Sequence, residues 1–117
     1  MLGFASLALA ESAFDGNWTA DIARPAPGAV QSLAIALNTK EGKVTGSILV
    51  KGGGEFPIEW GFVKADLITF KVKMPYFDTT AGYVYIGKLD GDQIAFGRRP
   101  EDLTVGRLVE FKASRAK

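Results

Sequence analysis

A chain of 117 residues, 47% of them hydrophobic, is long enough for one domain that buries about two-thirds of its unfolded surface without metals or disulfides. Its 14 basic and 13 acidic residues leave a formal charge of +1, so no global field draws it to nucleic acid or an anionic membrane, and any charge-based role must come from local placement. His and Cys are both absent, which excludes the Ser-His-Asp triad, Cys-His dyads, imidazole or thiolate metal sites and disulfides.

The first ten residues stand apart. Leu2 to Ala10 is apolar and ends Ala8-Leu9-Ala10 before Glu11-Ser12, the small-x-small pattern of a signal-peptidase site. On that reading the protein is exported, to a periplasmic or extracellular location. The alternative for residues 1–10 is a short helix capping one end of the fold; the stretch is too short to span a bilayer. Residues 11–117 read as a single domain.

From Gly16-Asn17-Trp18 onward the pattern is period two, with no long amphipathic helix. Strand-like runs fall near 17–24, 30–38, 43–51, 55–64, 67–74, 82–89, 92–98 and 106–115, separated by Gly-, Pro- and Asp-containing segments. Within 67–74, Ile68, Phe70, Val72 and Met74 alternate with Thr69, Lys71 and Lys73, one face dry and the other wet. Eight such strands predict an all-β fold, an eight-stranded antiparallel up-and-down barrel. Phe56, Ile58, Trp60, Phe62, Phe70 and Phe96 are expected to point inward, where they either fill the interior or leave room for one ligand.

Connection lengths give the barrel a polarity. Short links near Glu41-Gly42, Ala65-Asp66 and Gly91-Asp92 fall at one end, which should be closed. The links at 24–29, 51–54, 75–81 and 99–105 fall at the other, where a mouth is expected; the third of these carries Tyr76-Phe77 at its tip and is read as the longest. Gly52-Gly53-Gly54 lacks the Lys-Ser/Thr and following helix of a phosphate loop and reads as a hairpin turn.

Gly16-Asn17-Trp18 entering the first strand, and Phe111-Lys112-Ala113-Ser114 running into Arg115 at the end of the last, resemble the calycin superfamily of lipocalins, avidins and related bacterial barrels. With Thr45-Gly46 added, the pattern is similar to small exported bacterial barrels. The resemblance covers residues 16–115 and implies a lipocalin-like ligand-binding fold. It does not extend to biotin, because Trp18 and Trp60 are the only tryptophans.

Barrel closure brings Trp18 and Arg115 together at the closed end, where the guanidinium can stack on the indole and donate to nearby carbonyls, a structural use. At the open end, strand parity aims Arg24, Arg98 and Arg107 at one rim, with Tyr83 and Tyr85 facing them from the sixth strand. Arginines beside phenols over an apolar interior suit a small apolar or amphiphilic anionic ligand. The competing reading is a solvated rim neutralised by Glu101 and Asp102. A second function class is an interaction or inhibitor module that contacts an exported protein partner through Tyr76, Phe77 and Arg99. Catalytic residues, metals and cofactors are not expected, nor are nucleic-acid binding or a membrane span: Glu41, Glu55, Asp66, Asp90 and Asp92 fall near turns, where carboxylates are solvated.

Overall fold

A computed structural model describes residues 13–23, 30–76, 78–104 and 106–116. The signal-peptide reading of residues 1–10 therefore lies outside the described residues. Eight antiparallel strands close in sequence order into one barrel: β1 (Gly16–Ala23), β2 (Val30–Lys40), β3 (Lys43–Val50), β4 (Gly54–Lys64), β5 (Leu67–Tyr76), β6 (Thr79–Asp90), β7 (Gln93–Pro100) and β8 (Val109–Arg115). The architecture is all-β and up-and-down, with no helix among the described residues.

Alternation in the sequence becomes the inside and outside of the wall. In β1, Trp18, Ala20 and Ile22 are buried while Asn17, Thr19 and Asp21 are exposed; in β2, Leu33, Ile35 and Leu37 are the buried set. Two-residue turns join β2–β3, β4–β5 and β6–β7 at one end. Glu41 and Gly42 both have positive φ (53° and 79°), the backbone that matches the twist of a tight hairpin. The turns also tie to their neighbours: Val63 N–H donates to Gly42 O at 2.8 Å and Leu89 N–H to Asp66 O at 2.9 Å.

That end is closed by the chain itself. Residues Ala13–Asp15 cross it before β1, and Phe14 is fully buried beneath Trp18, whose Nε1 donates to Phe14 O at 2.9 Å. Arg115 lies over the Trp18 ring with Cζ 4.3 Å from the centroid, and donates from Nη1 to Asp15 O at 3.1 Å and from Nη2 to Ala13 O. Asp15 Oδ1 accepts from Thr39 N–H at 2.6 Å and Thr39 Oγ1 at 2.7 Å. The polar groups of the plug thus have partners, which lets an apolar floor form without a desolvation penalty.

Above the floor, aromatic side chains fill the centre. Phe70 stacks on Tyr85 at 5.0 Å and Phe96 on Phe111 at 5.3 Å, while the two pairs meet edge to face, with Phe70–Phe96 at 5.9 Å and Tyr85–Phe111 at 6.3 Å. Each such contact is worth about 0.5–1.5 kcal/mol beyond the area it buries.

Two expectations are corrected. Trp60 and Phe62 do not point inward; they are 44% and 50% exposed. The β4–β5 register runs Ile58↔Val72, then Trp60↔Lys71 and Gly61↔Phe70, so one extra residue in β4 reverses the parity of everything after it. Gly61 then takes the inward place, where an added Cβ would lie 2.8 Å from Phe70 Cβ and 2.9 Å from Val44 Cβ. The β5–β6 connection is also not the longest at the open end: the strands pair out to Tyr76↔Thr79, so only two positions separate them. Pro75 stands near the end of the hairpin, past the last β4–β5 pair at Ile58↔Val72, where no β4 ladder asks for its missing N–H.

Candidate binding site

The open end of the barrel is hollow. A cavity of about 640 Å³ occupies it, and every strand contributes to its wall. Ile22, Val50, Phe56, Met74 and Val109 supply an apolar lining, and Gln31, Tyr83 and Arg98 supply the polar groups. The turn Lys51–Gly53 edges the cavity with little side chain, its glycines contributing only backbone. A volume of this order suits a drug-sized or smaller ligand.

Arg98 is the charged side chain of this lining that points inward from mid-wall. It is half-buried, its Nη1 donates to Gln31 Oε1 at 3.0 Å, and its Cζ stands 5.4 Å from the centroid of the Tyr83 ring. These partners are neutral. Among the described residues no carboxylate lies within ion-pair distance of it. Glu101 and Asp102, expected as counter-charges, are engaged elsewhere: Glu101 pairs with Lys71 Nζ at 2.7 Å on the outer wall, and Asp102 accepts from Thr104 N–H at 2.9 Å and Oγ1 at 2.7 Å.

Tyr85 lies beneath, fully buried. Its hydroxyl donates to Met74 Sδ at 3.7 Å, a weak thioether acceptor, and the residue lies below the cavity rather than in its lining. Burial holds the phenol above its ordinary value of 10.0, opposed by the charge and hydrogen bonding of Arg98 nearby.

The remaining predicted residues separate. Arg24 and Phe77 lie outside the described residues, as does the side chain of Tyr76. Arg107 is exposed in the segment before β8 and does not line the cavity: the strand begins at Val109, so the pleat that would have aimed it inward is not there. Arg99 follows Arg98 on the strand and therefore faces outward, its Nη1 donating to Pro100 O at 3.4 Å. Of the lining, only Tyr83 and Arg98 are among the ligand-binding residues expected from the sequence. Gln31 was passed over although it shares parity with Leu33, Ile35 and Leu37, which makes it the polar residue among them.

The wall is incomplete on one side. β1 pairs with β8 only at Trp18↔Arg115, Thr19↔Ser114 and Ala20↔Ala113, so Asp21–Ala23 and Val109–Lys112 face each other without a ladder. A second, polar hollow of about 410 Å³ lies on this seam, lined by Thr19, Ala20, Asp21, Lys112 and Ser114. Ile22, Ala23 and Val109, which flank the open seam, also line the main cavity. Groups of carboxylates able to hold a metal ion are absent among the described residues. No family model, curated protein or solved structure matches the chain.

Proposed function

We propose that the protein is a non-catalytic, calycin-like carrier, exported from the cell, that binds a small amphiphilic anion in the open half of its barrel. The apolar part of the ligand lies against Ile22, Val50, Phe56, Met74 and Val109, and its head group takes hydrogen bonds from Arg98. The observation that carries this reading is the half-buried Arg98 guanidinium, whose partners, Gln31, the Tyr83 ring and the Tyr85 phenol, are all neutral, beside a cavity of about 640 Å³. Export rests on the Ala8-Leu9-Ala10 pattern and the calycin likeness on Gly16-Asn17-Trp18 with Arg115.

The interior also limits what fits. Phe70, Tyr85, Phe96 and Phe111 block the lower half, so a ligand has only the upper half to occupy; this favours a compact ring or a short acyl chain over a long extended one. Calorimetric titration with octanoate and with 1-octanol tests the reading. Octanoate binds the wild type more tightly, and Arg98→Gln weakens it by about 10- to 100-fold, the worth of one charge-assisted bond, while 1-octanol binding is little changed. Equal losses for both compounds, or no binding of either at millimolar concentration, would reject it.

A further inference from the structure

The outer wall of β4–β6 carries apolar groups that neither the core nor the cavity uses. Trp60 and Phe62, turned outward by the β4 bulge, stack at 6.4 Å with their planes 9° apart. Leu67 and Ile86 on the next two strands are 44% and 45% exposed. Register makes these one patch: Phe62 pairs with Thr69, which pairs with Ile86, and Lys64 pairs with Leu67, which pairs with Lys88. Lys43 pairs with Phe62 from the other side. Strand spacing of about 4.8 Å and a rise of about 3.3 Å per residue confine the set to roughly 10–15 Å.

Charge divides this wall in two. Higher up, Lys71 Nζ lies 2.7 Å from Glu101 and 3.6 Å from Glu59, and Lys73 Nζ 3.5 Å from Glu59. Lower down, exposed Lys43, Lys64 and Lys88 surround Phe62 and Leu67, and among the described residues no carboxylate lies within ion-pair distance of them. The carboxylates of Glu41, Asp66 and Asp92 sit in the closed-end turns, and Asp90 is the last residue of β6.

We infer that this wall is a docking surface for an anionic lipid bilayer, with the barrel axis lying along the membrane. The surface is convex, which suits a deformable plane better than a peptide that needs a groove. Lysine is depleted from protein–protein interfaces, whereas its long apolar stem lets it border buried apolar groups while its ammonium reaches phosphate. A two-fold contact between copies of the chain would set these lysines against one another. Leu67 and Ile86 offer aliphatic surface, useful in an acyl boundary and of no use for stacking bases.

The two tryptophans make the test direct, because Trp18 is fully buried and Trp60 is 44% exposed. The full chain is mixed with vesicles of phosphatidylcholine alone or with equal phosphatidylglycerol, and followed by sedimentation and tryptophan emission. Docking predicts sedimentation with the anionic vesicles only, a blue shift from Trp60, and reversal by high salt. The triple variant Lys43→Gln, Lys64→Gln, Lys88→Gln should bind more than 100-fold more weakly, about fivefold for each lysine, and Phe62→Ser should lose the blue shift. All four side chains point outward, and urea unfolding verifies that the variants fold. Equal sedimentation with neutral vesicles, none with anionic ones, or wild-type binding by the triple variant would overturn the inference. So would quenching of Trp60 by oligo(dT), or a doubling of mass abolished by Phe62→Ser, in the absence of vesicle binding. Octanoate binding is read separately and does not depend on this wall.

Discussion

From Tyr85 down to the floor, the interior holds Trp18, Phe70, Phe96 and Phe111, none more than 8% exposed; above Tyr85, the wall offers Ile22, Val50, Phe56 and Val109 around open volume. β1 shows the change within one strand, passing from Trp18 through Ala20 to Ile22. The lower half gains apolar burial, aromatic contacts and a plug whose polar groups have partners. The upper half keeps a guanidinium with no carboxylate within ion-pair distance among the described residues, a cavity and an unpaired seam between β1 and β8, each of them a cost to stability. Strength is concentrated at one end, which leaves the other free to be incomplete. Binding sites are commonly drawn from such weakly stabilised regions.

Phenylalanine truncation breaks the comparison most sharply. Phe70→Ala should cost about 3–5 kcal/mol in urea unfolding, because it empties a filled layer, whereas Phe56→Ala, half-buried and already facing the cavity, should cost about 1 kcal/mol. Equal costs would mean that the upper half is packed as the lower one is. Next in size is Gly61→Val, expected to cost about 1–3 kcal/mol by the same measurement, since its side chain would press on Phe70 and Val44. A neutral result would place Gly61 on the outside and remove the bulge from the account.

Tyr85 gives a smaller effect, with a definite sign. The unfolded chain releases the phenolic proton near 10.0, while the folded protein holds it to higher pH because the ring is buried. Stability contributed in this way is fully present below pH 10.0 and is lost as pH rises from there through the folded-state value. Absorbance at 295 nm should show one tyrosine ionising late, together with alkaline loss of structure; Tyr85→Phe should remove that loss. The smallest expected change is Arg98→Gln, which removes an uncompensated charge and should leave stability at or slightly above wild type by thermal unfolding. A large loss would make Arg98 a structural residue.

The barrel was legible because its signals are local and redundant. Alternation names the inner face of each strand, two-residue turns mark one end, and an even strand count places β1 beside β8, which brings Trp18 to Arg115. The outward turn of Trp60 and Phe62 was not legible. Phe56, Ile58, Trp60 and Phe62 form an unbroken period of two, and the bulge that interrupts it is selected across the sheet, by Phe70 and Val44 needing the space that Gly61 leaves. Arg107 was misplaced for a related reason: parity counted back from Val109 holds only while the chain remains a strand. Arg98, Tyr83 and Tyr85 could be placed by parity on the inner face. Whether that face encloses space depends on how side chains from eight strands meet at the centre, which a single strand does not encode.

The central claim, that the upper half takes an amphiphilic anion, is tested most directly by isoleucine methyl NMR during titration with octanoate. Seven isoleucines are distributed through the barrel, and Ile22 is the one that lines the cavity. The account predicts that the Ile22 methyl shifts in a saturable way while Ile35, Ile48, Ile68 and Ile94, buried in the core, stay in place. Saturable shifts at those core methyls with Ile22 unmoved, or no shift at any of the seven, would contradict it.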